Sequence, residues 1–386
     1  MIPTQSELES LTNEFQTELF ERVLPFWMEY SPDYQYGGYF NCLDRDGSLY
    51  DSTKHVWLQA RQVWMFSKLY NDHKADLQWL EMAGWGMDFL TKYARRADNR
   101  VYFSLTRNGE PIYLQRKMFS ECFYIMALAQ YSKASGEHLE NEIKDMFKTI
   151  WELAFVPGAT GRPVMPGNMI EQTLAVPMIL LNVIEEIADD NKSFYDSEIH
   201  YCIQAISKHL IDGKMYENLV KDGSQSETSA SRLLSPGHAI EAGWFLQHWA
   251  LELQDSALLE TSANIIRNAF HQGWDNEFEG LFYFIDADGK SPTQLEWDMK
   301  LWWPHCEAMY GFLLNYATFG LREDWELFLK VKAYAFEHFS DPKNGEWYGY
   351  LNRQGRLTHS FKGGPYKGCF HVPRALYYCY NVLKRL

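Results

Sequence analysis

The chain has 386 residues, of which 46% are hydrophobic and 23% charged, and its formal net charge is −15. This composition is typical of a soluble globular protein, and the negative charge argues against nucleic acid or an anionic membrane as a partner. The six cysteines are scattered without a CxxC pair, which indicates reduced thiols in a cytoplasmic protein. No linker-like segment interrupts the chain, so we predict a single domain over residues 1–386.

The first predicted elements are amphipathic helices. Apolar residues recur at the three- and four-residue spacing of one helix face near the N-terminus and again after residue 78. The two sets are Leu8, Leu11, Phe15 and Leu19, then Trp79, Met82, Ala83, Met87 and Leu90. No apolar run is long enough to predict a membrane-spanning helix.

Short aromatic segments that end in Asn or Asp near a glycine recur between the helices. Such β-prone residues, followed by a glycine that tolerates a positive φ, predict hairpins. The copies are "GGYFNCLDRDG" (37–47), "RVYFSLTRNG" (100–109), "KMYENLVKDG" (214–223), "GLFYFIDADG" (280–289) and "GEWYGYLNRQG" (345–355), with a degenerate copy at Gly167. Six helix–hairpin–helix units bury their apolar faces by stacking. We therefore predict an all-α fold, an (α/α)6 barrel of six helix pairs with short β-hairpins at one end; an open helical solenoid is the alternative.

The second helix of each unit carries a charged residue near its start. In alignment these residues are Arg61, Glu121, Glu171, Glu241, Glu307 and Arg374. In a closed ring they would converge on one end of the axis. His238 and His371 each stand three residues before an aligned charge, on the same helix face, so both imidazoles are predicted to face one pocket. Histidine is well suited to proton transfer near neutral pH.

Motifs for several other chemistries are missing from the sequence. His238 with Glu241, and His305 with Glu307, are the near pairs that a divalent ion would use. Neither pair supplies the three convergent ligands of a catalytic zinc, so we predict no metal site. The chain has no GxxxxGK[ST] and no GxGxxG after a strand, which leaves a P-loop and a nicotinamide site unsupported. Glu241 with Glu307 would suit the acid and base of a glycosidase.

Four segments resemble the signature segments of the N-acylglucosamine 2-epimerase family. They are "ARQVW" (60–64), "SPGHAIEAGW" (235–244), "WWPHCEAMYG" (302–311) and "GGPYKGCFHVPRALY" (363–377). The resemblance spans nearly the whole chain. It implies an (α/α)6 barrel, a homodimer and the interconversion of N-acetylglucosamine and N-acetylmannosamine. It also implies that no cofactor is consumed and that ATP acts as an activator.

The resemblance assigns roles to individual residues. His238 and His371 match the family's acid–base pair, and Arg61 matches an arginine that would stabilise the oxyanion on O1. Glu241 and Glu307 match carboxylates that hold sugar hydroxyls or orient a histidine. We predict His238, His371, Arg61 and Glu307 as catalytic, and Glu241, Trp302, Trp303 and Asn168 as substrate-binding. Two other classes stay open: another sugar-active barrel (an aldose–ketose isomerase, a cellobiose-type epimerase or a glycosidase) and a binding protein without catalysis.

Overall fold

Long helices dominate the computed structural model, which describes residues 3–189, 191–221 and 228–386. The first helical segment consists of α1 (Gln5–Thr17), a π-helical stretch (Glu18–Val23) and α2 (Leu24–Tyr30). The others are α3 (Val56–Asp72), α4 (Leu77–Tyr93), α5 (Phe119–Ser135), α6 (Glu140–Phe155), α7 (Ala175–Ala188), α8 (Asp196–Lys208), α9 (Pro236–Glu252), α10 (Ser256–Gly273), α11 (Trp302–Phe319), α12 (Arg322–His338) and α13 (His371–Leu383). Short 3-10 turns cover Lys192–Tyr195 and Ala230–Arg232. None of the helices in the described ranges is long and apolar enough to cross a membrane.

Inner and outer helices alternate along the chain. The odd-numbered helices from α3 to α13 pack side by side, and each of these except α13 also packs against the outer helix that follows it. An inner helix is buried nearly all round, as in α11, where every residue from Trp302 to Tyr316 is buried. An outer helix such as α12 buries one stripe, which includes Trp325, Phe328 and Val331. The ring closes between α13 and α3, where Phe370 contacts Trp64 and Tyr377 contacts His73. The predicted (α/α)6 barrel is confirmed.

Short antiparallel strands occupy the connections from each outer helix to the next inner helix. They are β1 (Cys42–Leu43), β2 (Leu49–Asp51), β3 (Lys54–His55), β4 (Ser104–Leu105), β5 (Pro111–Tyr113), β6 (Ile170–Thr173), β7 (Leu210–Ile211), β8 (Lys214–Met215), β9 (Asn218–Val220), β10 (Leu233–Leu234), β11 (Ile285–Asp286), β12 (Lys300–Leu301) and β13 (Tyr350–Leu351). The pairs β1–β2, β4–β5 and β7–β8 are local hairpins, whereas β3–β4, β6–β9, β10–β11 and β12–β13 join more distant segments. The strands therefore lie at the end of the barrel where the inner helices begin. We call this end the mouth.

The predicted turns are largely correct, with one error in the third unit. Gly47, Gly109, Gly289 and Gly355 have a positive φ, as the hairpin chemistry requires. Gly223 lies outside the described residues. Gly167 does not adopt a positive φ, and the segment that follows it forms strand β6 rather than the start of an inner helix.

Buried Asp–Lys pairs fix the loops that lead into three inner helices. In each, an aspartate after an outer helix binds a lysine in the loop that leads to an inner helix, and an arginine from another unit's turn binds the same aspartate. The sets are Asp33, Lys54 and Arg107; Asp275, Lys300 and Arg353; and Asp341, Lys362 and Arg45. The third set links the last unit to the first and so reinforces ring closure.

We expect Asp33→Asn to destabilise the protein strongly. Lys54 Nζ lies 2.9 Å from Asp33, and both side chains are fully buried. Removing one charge of a buried pair leaves the other uncompensated, which costs about 3–5 kcal/mol of unfolding free energy. Asp98→Asn is the control, because the Asp98–Arg96 pair is exposed and is worth at most about 1 kcal/mol. Urea denaturation measures both values, and similar stability for the two variants would contradict this account.

Candidate active site

Charged and aromatic side chains from four inner helices meet at the mouth. Arg61 comes from α3, His238 and Glu241 from α9, Trp303 and Glu307 from α11, and His371 and Arg374 from α13. They lie in the first two turns of helices α3, α9, α11 and α13. All are buried except His238 and His371, which are partly exposed.

Glu307 is the centre of a buried hydrogen-bond cluster. One carboxylate oxygen lies 2.7 Å from His371 Nδ1 and accepts a hydrogen bond of 2.8 Å from Arg374. The other oxygen accepts a hydrogen bond of 3.0 Å from the Trp244 indole. The carboxylate thereby fixes the ring orientation of His371 and leaves Nε2 as the nitrogen available to a ligand.

Arg374 joins the two carboxylates of the cluster. The same guanidinium nitrogen donates to Glu307 and, at 2.7 Å, to Glu241. Although burial opposes its charge, these two carboxylates raise the pKa of Arg374 above its usual value. Ligand atoms of Glu241, Glu307 and His371 lie within 4.8 Å of one another, a spacing that would suit a metal ion. Arg374 already supplies a positive charge between these two carboxylates, so a divalent ion there would meet electrostatic repulsion.

The environment of His371 favours a neutral imidazole. Burial and the positive charges of Arg374 and Arg61 hold the pKa of His371 well below its usual range. Glu241 opposes this trend, but its charge is shared with Arg374. A neutral ring that donates Nδ1–H to Glu307 carries a free electron pair on Nε2, which is what a general base requires.

His238 has the opposite protonation preference. Its Nδ1 lies 3.0 and 3.1 Å from the two carboxylate oxygens of Glu217. Burial alone would lower the pKa of His238, but Glu217, assisted by Glu241 and Glu307, raises it to about 8. At neutral pH this imidazole is charged and can act as a proton donor.

Arg61 is a buried cation with no carboxylate partner among the described residues. Its guanidinium lies between the rings of Trp57, Phe123 and Phe370, at 4.5, 3.9 and 4.7 Å, and its Nε has no hydrogen-bond partner there. Burial, with repulsion from Arg374, lowers the pKa of Arg61 to about 9, so the group is still charged at neutral pH. A buried, unpaired guanidinium is costly, and an anionic group on a ligand would relieve that cost.

Trp303 lies between the two histidines. Its ring centroid is 5.1 Å from that of His238 and 5.9 Å from that of His371. Both imidazoles thus border one indole. Trp302 lies beside His371 at 6.4 Å, and its indole nitrogen is buried without a hydrogen-bond partner in the described structure.

The remaining aligned positions do not join this cluster. Glu171 is exposed on β6, where exposure alternates as in a strand. The third inner helix begins only at Ala175, so Glu171 does not lie on it. Glu121 is on α5, but it pairs with Arg100 at 2.7 Å. Asn168 is exposed, and the two hydrogen bonds of its side chain both go to the backbone of Ile170, so its substrate-binding role stays a prediction.

His305 is part of the core. Nδ1 lies 2.6 Å from the carbonyl of Leu301, and Nε2 accepts a hydrogen bond from the backbone of Leu281. Burial lowers the pKa of His305 to about 3. With both nitrogens bonded within the protein, this ring has no free position for a metal ion.

Sequence reasoning missed two residues of the site. Arg374 was part of the aligned ring of charges, but it was not among the predicted site residues. Glu217 lies just before β9, within a segment read only as a hairpin. A glutamate in a loop carries no local signal that it will meet a histidine on another element.

Comparisons with known proteins identify the family of the chain. The family model for N-acylglucosamine 2-epimerase (GlcNAc 2-epimerase) matches residues 38–375. The N-acylglucosamine 2-epimerase of Mus musculus is 44% identical over 378 residues, which cover 95% of this chain and 90% of the mouse protein. A cellobiose 2-epimerase from Eubacterium cellulosolvens is 24% identical, over 95% and 96% of the two chains. The solved structure of a cellobiose 2-epimerase from Bacillus thermoamylovorans has a TM-score of 0.83 at 21% identity, over 98% and 100% of the chains. The chain therefore belongs to the N-acylglucosamine 2-epimerase family.

Proposed function

We propose that this protein interconverts N-acetyl-D-glucosamine and N-acetyl-D-mannosamine by removing and restoring the proton at C2. The observation that carries the proposal is the pair of histidines beside one indole, one charged and one neutral, with an unpaired guanidinium in the same mouth. Groups whose environments push their pKa values apart are suited to acid and base roles. The 44% identity to a mammalian N-acylglucosamine 2-epimerase supports the choice of substrate.

The reaction uses the open-chain aldehyde form of the sugar. His371 Nε2 accepts the proton from C2, and the electrons of the broken C–H bond form a C1–C2 double bond while negative charge moves to O1. Arg61 stabilises that oxyanion. His238 then donates a proton to the opposite face of C2, the C1 carbonyl re-forms, and the configuration is inverted.

The reverse reaction starts from the other protonation state. After one turnover His371 is charged and His238 is neutral, so the epimer just formed can be deprotonated by His238. The pair carries one catalytic proton before and after each turnover, and both histidines are protonated while the enolate-like intermediate exists. No redox cofactor is needed. Trp303 forms the wall against which the apolar face of the sugar packs.

The glycosidase alternative fits this site poorly. A glycosidase needs one protonated and one ionised carboxyl group on either side of the scissile bond. Glu241 and Glu307 instead both bind one guanidinium nitrogen of Arg374, so they are held together by a protein cation rather than placed on either side of a substrate bond.

An isotope experiment tests the proposal. N-acetylglucosamine is incubated with the protein in D2O and followed by NMR. We expect N-acetylmannosamine with deuterium at C2. Parallel incubations use mannose and cellobiose. Conversion of mannose to a ketose would indicate an isomerase, and conversion of cellobiose to its 2-epimer would indicate a cellobiose-type epimerase. If none of the sugars changed, the protein would be a binding protein.

The resemblance also predicts a homodimer that is activated by ATP, and the scattered cysteines predict a cytoplasmic protein. A groove of about 470 Å³ lies between the α5–α6 and α7–α8 connections. Its described lining carries Lys133 and Lys144 but also Glu137, Glu140 and Asp189, so its charge does not suit a triphosphate. We therefore assign no residue to ATP, and the activation stays a prediction.

Dialysis against EDTA is expected to leave the epimerisation rate unchanged. The proposed proton transfers use side chains alone, and Arg374 supplies positive charge between Glu241 and Glu307. The rate is measured with nucleotide present and magnesium omitted. If activity disappeared and returned with Mn²⁺ or Zn²⁺, Glu241, Glu307 and His371 would have to be reinterpreted as metal ligands.

A further inference from the structure

We propose that Glu217 is a positioning residue for the epimerisation: it holds Nδ1 of His238 and so presents Nε2 to the sugar as a proton donor. This inference rests on the function proposed above. Both carboxylate oxygens of Glu217 lie within hydrogen-bond distance of Nδ1, at 3.0 and 3.1 Å. Among the described residues Nε2 forms no hydrogen bond, so it is the nitrogen left for a ligand.

The backbone around Glu217 is held by two neighbouring segments. Its N–H donates to the carbonyl of Leu233, and its own carbonyl accepts from Leu174, both at 2.9 Å. Leu174 directly precedes α7, and Leu233 begins strand β10, which leads into α9. Both bonds are made by main-chain atoms, so a substitution at position 217 that keeps the side-chain shape leaves them intact.

Each histidine of the mouth has its own glutamate, but the two glutamates differ in their other partners. Glu307 holds His371 and also binds Arg374 at 2.8 Å, so its negative charge is already compensated. Glu217 forms no ion pair with a lysine or arginine in the described part of the chain. Its charge is therefore directed at His238 alone. We infer that this difference explains why one histidine rests charged and the other neutral.

Other charged groups also act on His238, and Glu217 is the nearest. Glu241 on the same helix and Glu307 on α11 favour the charged ring, whereas burial opposes it, and the charge of His238 in turn disfavours protonation of His371. Glu217→Gln removes the strongest favourable charge but keeps a carbonyl oxygen that accepts a hydrogen bond from Nδ1–H. The variant thus separates charge from orientation.

The pH dependence of kcat/KM tests the role of Glu217. Epimerisation in either direction requires the singly protonated pair, so its rate falls at high pH as His238 loses its proton. The pKa of His238 is raised to about 8 in the folded protein, which places this basic limb near pH 8. In Glu217→Gln we expect the limb to move to lower pH by about 1 unit or more, the usual effect of losing an adjacent opposite charge. In Glu217→Asp, which keeps the charge, the basic limb should lie close to its wild-type position.

Glu185→Gln is a matched control. Glu185 lies 2.7 Å from Nδ1 of His248, which is further along the same helix as His238. This variant removes an equivalent glutamate–histidine contact away from the mouth, and the basic limb should not move. A limb that stays in place in Glu217→Gln, or that moves equally in Glu185→Gln, would overturn the proposal.

An NMR titration of the free protein tests the same coupling without sugar. The His238 resonance is assigned by its loss in His238→Asn, and we expect it to titrate near pH 8 in the wild-type protein and at lower pH in Glu217→Gln. A wild-type value below the ordinary histidine pKa of about 6.5 would refute the role of Glu217. Because this titration needs no turnover, it distinguishes failure of this inference from failure of the proposed function.

Discussion

Replacing either His371 or His238 with Asn should reduce epimerisation by roughly 10²–10⁴-fold, the usual contribution of a general acid or base. Inversion at C2 requires a proton acceptor on one face and a donor on the other, so neither histidine can substitute for its partner. Both side chains are partly exposed at the mouth, so we expect both variants to fold. Rates are measured from each epimer separately, by NMR in D2O.

Each variant should retain one-sided chemistry that identifies its missing group. The remaining histidine can still remove and replace the C2 hydrogen of the epimer whose C2–H bond points towards it. This exchange occurs without inversion. The two variants should therefore exchange opposite epimers. In His371→Asn the remaining His238 must lose its proton to act as a base, and its pKa is raised to about 8. Exchange in this variant should accordingly rise as the pH increases towards 8, whereas in His238→Asn it should already be present at neutral pH.

The control for these variants is His248→Asn. His248 lies on the same helix as His238 and also binds a glutamate, but it contacts Tyr310 rather than the mouth residues His371 and Trp303. We expect epimerisation close to the wild-type rate. Full activity in His371→Asn or His238→Asn would remove that histidine from the mechanism.

Arg61→Lys is expected to lower kcat by roughly 10²–10³-fold with a smaller change in KM, because loss of an oxyanion-stabilising donor acts mainly on the transition state. The guanidinium is held flat among Trp57, Phe123 and Phe370. A lysine ammonium is a compact point charge that neither stacks in this way nor forms a planar pair of hydrogen bonds. Steady-state kinetics with both epimers measure the two constants.

Arg267→Lys serves as the comparison for Arg61→Lys. Arg267 is a largely buried arginine on outer helix α10 that binds Asp324, away from the mouth. Its replacement should leave kcat unchanged. If Arg61→Lys instead raised KM at constant kcat, Arg61 would be a clamp for the ground-state substrate and the oxyanion role would be wrong.

The repeat pattern was sufficient to predict the architecture. The apolar spacing of α1 and α4 follows from the one face that each helix buries. The turns at Gly47, Gly109 and Gly355 follow from local backbone preference. The third unit was misaligned: Glu171 was placed near the start of an inner helix, but it lies on a strand. Exposure along Ile170–Thr173 alternates with the period of a strand, and the long exposed segment before it delays the helix to Ala175.

The sequence by itself determined the helix pairs, the ring and the presence of His238, His371, Arg61, Glu241 and Glu307 near helix starts, because these follow from spacing along the chain. Only the tertiary structure decided how those groups are charged. Glu217 and His238 belong to different elements, as do Glu307 and Arg374, and their contacts form when the helices pack. A pKa depends on burial and on charges within a few ångströms in space, whichever part of the chain supplies them. The opposite protonation preferences of the two histidines therefore arise from the packed barrel and are absent from any local segment.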